Sequence, residues 1–270
     1  MDNLFIRLEN ENQSYAFADI NIDDKEKIID TIQIDKTQDQ FYFWGNLTNG
    51  TLLKIDNKKV FRKYIALRSA SLNYELIKYL ECAFSNLENK KDKKELSTKL
   101  TKLILNNIVT PCLNSVKKEY MVLNLQLQTK TNLFDIPIWH QNSHHHLFHN
   151  YNSVCFNKTL VGPGTLFKNV DCQVTKSFLN YRNQLLKENN YNPKIFLDNE
   201  HKYEMCKFLN NYDVQACKQN QIAIYRTGEK NLAIHSIPAL SGLDMLTGRF
   251  DLSIYPVTLD TCLFMNKQII

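Results

Sequence analysis

The sequence predicts an α+β protein, with a mostly helical region over residues 1–118 followed by a β-rich core over 119–270 that carries an insertion at about 171–219. Two changes of period carry this prediction. Between residues 73 and 109 the apolar side chains of Leu76, Ile77, Leu80, Phe84 and Leu87, then Leu100, Leu103, Ile104, Leu105 and Ile108, recur at helical intervals on either side of a charged link at 90–95. From Tyr120 onward, Leu123, Leu125 and Leu127 alternate with Asn124, Gln126 and Gln128, the two-residue period of a strand with one buried face.

Each element follows from local pattern. Residues 23–34 suggest a short helix, and 41–45 (Phe-Tyr-Phe-Trp-Gly) a strand ending in a turn. The 73–109 segment reads as a helical hairpin. Strands are then expected over 120–128, 134–140, 160–167, 221–225, 232–237 and 250–255, separated by turn residues. One helix, at about 175–188, is expected inside the insertion, whose Tyr, Asn and Lys content suits either a substrate cover or a solvated excursion.

Composition narrows the function classes. A chain of 270 residues that is 43% hydrophobic can bury one large core. The net charge of +5 comes from 33 basic and 28 acidic residues that are dispersed rather than gathered in a stripe, so nucleic acid is not an expected partner. Seven cysteines without a Cys-x-x-Cys pair suggest reduced thiols, neither a disulfide framework nor a zinc ribbon. With no basic-then-apolar leader and no run near 18 apolar residues, the expectation is a cytoplasmic protein with no membrane partner. No Gly-x-Ser-x-Gly elbow and no phosphate-cradling Gly-rich loop is present, which disfavours serine hydrolases and nucleotide enzymes.

Three features carry chemistry. If the chain is extended from His140, positions 140, 142, 144 and 146 share a face, and His140, His144 and His146 are histidines. Two ligands at i and i+2, with a third on a distant strand, make a facial metal site with open positions, although a His run also suits a polar loop. His235 re-enters after the apolar strand at 221–226 and a turn at 227–230. Finally, Arg249, Asp251 and Ser253 alternate with Phe250, Leu252 and Ile254. A buried Arg249 could grip a carboxylate through two parallel hydrogen bonds; on a solvated face it would simply pair with Asp251.

In this order, His140 to Asn142, the turn at 162–167, the strand at 221–226, His235 and Arg249 resemble the double-stranded β-helix of the iron(II)/2-oxoglutarate-dependent oxygenases, over roughly residues 120–256. The resemblance implies a jelly-roll core, Fe(II) held by His140, position 142 and His235, and 2-oxoglutarate held by Arg249 with Ser253 on the same face. It also implies hydroxylation or demethylation of a small molecule or a protein side chain. The chain departs from the family at two positions. Asn142 stands where an acidic ligand belongs, and no His is followed two residues later by Asp or Glu; Asp251 brings negative charge beside the dicarboxylate anchor. Three arrangements are compatible with this. Asn142 can act as a weak neutral ligand or leave a vacancy for halide or water. His144 and His146 can join His235 in a three-histidine site like that of cupin-type thiol dioxygenases. Or the site can have become a non-catalytic binding scaffold.

Overall fold

Alternation along the strands gives this chain two-faced sheets, and each face has found its own partner. The computed structural model describes residues 14–20, 60–67, 69–83, 89–128, 136–142, 153–192, 195–196, 198–227, 232–238 and 249–261. Strands β1 (Tyr15–Asp19), β2 (Val60–Ala66), β3 (Tyr120–Gln128), β4 (Ser153–Val161), β7 (Gln221–Thr227) and β9 (Arg249–Val257) form a six-stranded sheet in the order β1-β7-β4-β9-β3-β2. Every pairing in it is antiparallel. A smaller antiparallel sheet runs β6 (Val214–Ala216), β5 (Leu166–Lys168), β8 (His235–Ser236), and an isolated bridge between His140 and His235 extends it by one position.

The predicted hairpin is present as α1 (Ala70–Ala83) and α2 (Lys90–Leu103), except that 90–95, expected to be the link, forms the start of α2. Asn89 caps α2 by accepting a hydrogen bond from the Lys91 amide at 2.9 Å. The rod continues through a π-helical turn, Ile104–Val109, into α3 (Thr110–Ser115). Leu76, Leu80, Leu100, Ile104 and Ile108 are fully buried against Leu123, Leu125, Phe156, Ile224, Leu252 and Ile254 of the large sheet. The opposite face of that sheet, with Val122, Cys155, Ala223, Tyr225 and Tyr255, packs on Phe167 of the smaller sheet and on Ala233, which precedes β8.

The insertion contains more order than its sequence pattern predicts. Its first helix, α4, spans Cys172–Glu188 because Asp171 caps it, accepting from the Val174 amide at 2.8 Å. A second helix, α5 (Asn199–Phe208), is capped by Asp198, and β6 belongs to the small sheet. Phe178, Leu185, Met205 and Leu209 bury against Trp139 and Ile234. Because Ile234 and His235 point to opposite sides, these helices back the small sheet on the side away from the large one. The insertion is thus a wall, not a solvated excursion.

Elsewhere the strands are shorter than expected. Over the described residues 136–140 only His140 pairs, and over 232–237 only His235 and Ser236 do. The N-terminal region is not solely helical, since β1 and β2 form the two edges of the large sheet. The helix expected at 23–34, the strand at 41–45, and His144 and His146 lie outside the described residues. Among the described residues no helix is long and apolar enough to cross a membrane.

The turn joining β4 to β5 fixes the geometry of the site below. A Cβ on Gly164 would lie 1.8 Å from the Cys217 carbonyl oxygen, a backbone atom tied in place by the Cys217 N–H donating to the Thr165 carbonyl at 2.9 Å. Gly164→Ala is therefore expected to lose about 1–3 kcal/mol of stability through forced backbone displacement. A urea melt indistinguishable from wild type would show that the turn yields freely.

A two-histidine centre and a buried arginine network

His140 and His235 meet because their backbones do. The His140 N–H donates to the His235 carbonyl at 2.9 Å and the His235 N–H to the His140 carbonyl at 3.0 Å. Residues that exchange both bonds in an antiparallel pair project side chains to the same face, and here the ring centroids are 4.2 Å apart. The rings are held from the other sides as well. Tyr225 lies 4.6 Å and Phe167 5.8 Å from the His235 ring, centroid to centroid.

Both imidazoles are locked in one tautomer. His140 Nδ1 lies 2.9 Å from the Ile138 carbonyl and His235 Nδ1 lies 3.1 Å from the Ala233 carbonyl. A carbonyl only accepts, so each Nδ1 carries the hydrogen and each Nε2 is the basic nitrogen. Hydrogen bonds of this kind orient metal-binding histidines and raise their basicity toward the metal. Burial, helped by the positive charge of Arg182 on α4, pushes His140 down to about 4, so the ring is neutral at pH 7. Arg182 itself stacks over Phe196, with 4.3 Å from its central carbon to the ring centroid.

Asn142, two residues after His140, is buried, and its side-chain amide donates to the hydroxyls of Tyr225 and Tyr255 at 3.2 and 3.3 Å. These tyrosines occupy the space facing the position where an acidic ligand would stand. Burial holds the Tyr225 hydroxyl well above its ordinary range and the neighbouring Cys155 thiol at about 12, so this wall is uncharged.

Arg249 is 1% exposed at the start of β9. Strand alternation puts Arg249, Asp251 and Ser253 on the face that looks at the small sheet, and the register sets Thr159 opposite Asp251 and Asn157 opposite Ser253. The Arg249 Nε donates to the Pro163 carbonyl at 3.0 Å; its terminal nitrogen donates to Thr159 Oγ1 at 3.0 Å, to Asp251 Oδ1 at 2.9 Å, and to Thr165 Oγ1. Asp251 also receives Thr159 Oγ1 at 3.0 Å and Asn157 Nδ2 at 2.8 Å. Ser253 Oγ accepts from Asn157 Nδ2 at 3.1 Å. Burial pushes the Asp251 carboxyl up and Arg249 pulls it back down.

The structure brings His140 and His235 together, links Asn142 to them through Tyr225, and gathers Arg249, Asp251 and Ser253 into a second, polar cluster. Sequence reasoning missed Asn157, Thr159, Thr165, Tyr225 and Tyr255. Asn157 and Thr159 were legible as the polar phase of an alternation with Phe156 and Leu160; Tyr225 and Tyr255 look like ordinary core aromatics until the two sheets are stacked.

Two adjacent, tautomer-fixed imidazoles suit iron(II) as donors, and Asn142 stands at the sequence position of the third ligand with its amide nitrogen turned to Tyr225 and Tyr255. Among the described residues, no group of three or more His, Cys, Asp and Glu could hold a metal ion, so a metal there would have His140 and His235 as its only strong donors among them. The 2-oxoglutarate anchor fits less well. Arg249 already carries a carboxylate partner, and a dicarboxylate placed there would bring a second negative charge against Asp251 in a buried space. No protein-family model matches the sequence, and no curated protein matches it either.

Proposed function

We propose that this chain is an iron(II)-binding protein with the double-stranded β-helix architecture of the iron(II)/2-oxoglutarate oxygenases, in which His140 and His235 hold the metal. Its activity would be oxygenation of a small molecule or a protein side chain. The observation that carries the reading is the His140–His235 pair, with both Nδ1 hydrogens fixed on backbone carbonyls. Strand order supports the architecture. Counting β3, the His140 bridge, β4, β5, β6, β7, β8 and β9 in chain order, the first, third, sixth and eighth lie in the large sheet and the others in the small one. Such alternation between two facing sheets is how a chain winds into a jelly roll. The described cysteines are all free, which suits a reducing cytoplasm.

Iron, when bound, would supply oxygen binding and redox chemistry. The residues' own parts are separate: His140 and His235 present Nε2, Phe167 and Tyr225 hold the His235 ring in place, and the uncharged Tyr225–Tyr255 wall keeps that side of the centre dry. The Arg249–Asp251 ion pair favours a second reading, a non-catalytic jelly roll that binds a partner, because it fills the anchor that 2-oxoglutarate would need.

Anaerobic iron(II) titration separates these readings. Wild type is expected to bind about one iron per chain, and His235→Ala at least tenfold more weakly. Asn142→Asp should bind about tenfold more tightly, since a carboxylate held by the Tyr225 and Tyr255 hydroxyls is a harder donor than an amide. Equal affinities in wild type and His235→Ala would remove the metal from this site and leave the binding scaffold.

A further inference from the structure

We infer that Asp251 is the resident anion of Arg249: the place where a ligand carboxylate would bind is filled from within, and the intact protein takes no dicarboxylate there. The inference rests on the reading above only in assigning that place to a ligand at all.

Geometry makes the pairing intrinsic to the strand. Arg249 and Asp251 are two residues apart on β9, so their side chains leave the same face and the longer one folds along the strand onto the shorter. The contact between them is 2.9 Å and both groups are buried, at 1% and 8% exposure. The surroundings complete it from both ends. Thr159 donates to Asp251 while accepting from Arg249, and Thr165 accepts from Arg249 while donating to Asn157 Oδ1 at 2.5 Å. Asn157 closes the ring by donating to the second Asp251 oxygen.

The network is thus a neutral, hydrogen-bonded unit. An incoming carboxylate that took the place of Asp251 on this terminal nitrogen would leave the Asp251 carboxylate buried without its cation, the arrangement that penalises a broken buried ion pair most. Removing Asp251 reverses the situation. Arg249 would then keep its Thr159, Thr165 and Pro163 partners and face a cavity the size of a carboxylate.

The test compares melting temperatures of full-length wild type and Asp251→Ala across formate and 2-oxoglutarate series, matched for ionic strength with chloride. Each series is run with chelator and repeated with manganese(II). Wild type is expected to show no saturable shift with either anion. Asp251→Ala is expected to melt lower and to regain about 5–10 °C at formate concentrations near a hundredfold above its dissociation constant. A saturable 2-oxoglutarate shift in wild type that disappears in Arg249→Met would overturn the inference, as would an Asp251→Ala protein that melts cooperatively and ignores formate. Should Asp251→Ala fail to fold, the wild-type series decides: a saturable shift that Arg249→Met abolishes refutes, no shift upholds. Because the chelator series contains no metal, failure of iron binding at His140 and His235 leaves its outcome untouched.

Discussion

Arg249→Met is expected to lose about 3–5 kcal/mol of folding stability at pH 8, because it leaves the Asp251 carboxylate buried without its cation. Methionine fills much of the same space, so the loss reports charge rather than a cavity. Asn157 and Thr159 would still donate to Asp251, but Lys158 cannot take over, since its ammonium is engaged with the Gln219 and Gln221 carbonyls. The pH dependence gives the sign. Asp251 already has its carboxyl pushed up by burial, with Arg249 opposing, so removing Arg249 pushes it further. A carboxyl with a raised folded-state value holds its proton in the folded protein. Its favourable contribution is present below the unfolded value of about 3.9 and fades as pH rises through the folded one. The variant should therefore be closer to wild type at pH 5 than at pH 8 in urea unfolding. Equal losses at both pH values would mean that Asp251 is not the group left stranded, and pairing Arg249→Met with Asp251→Leu should recover most of the deficit.

Phe156→Ala should be comparably damaging for a different reason. Phe156 is fully buried on β4, flanked by Ile224 of β7 and Ile254 of β9, beneath the helical hairpin. Truncation removes the ring's transfer free energy and leaves a void that three paired strands cannot collapse to fill, a loss of about 3–5 kcal/mol. Against a typical total of about 5–15 kcal/mol this approaches unfolding. Phe208, 38% exposed on α5, provides the contrast: Phe208→Ala should lose about 1 kcal/mol or less, mainly its stacking on Tyr181. A shift in urea midpoint for Phe156→Ala no larger than that of Phe208→Ala would contradict the assignment of the main core to the hairpin and sheet interface.

How much of this was legible beforehand differs by element. The helices α1 and α2 and the π-helical turn after them were readable from Leu76, Leu80, Leu100, Ile104 and Ile108, because a helix that packs on one side writes its period into the chain. Strands β3 and β9 were readable from alternation for the same reason. The helix α5 was not, because no run of its apolar residues repeats; Met205 and Leu209 bury only because Trp139 and Ile234 come from elsewhere.

The sequence by itself determined which residues could carry chemistry: the residue types at His140, Asn142, His235, Arg249 and Asp251, and the alternation that puts 249, 251 and 253 on one face. It left open whether Arg249 faces a ligand, solvent or its own neighbour. Tertiary structure decided that, because only the stacking of two sheets sets Thr159, Thr165 and Asn157 around the Arg249–Asp251 pair and removes the water that would otherwise screen it. The meeting of His140 with His235 was decided in the same way, by two backbone hydrogen bonds between segments 95 positions apart (235 − 140), a separation across which no local pattern in the sequence can record a contact.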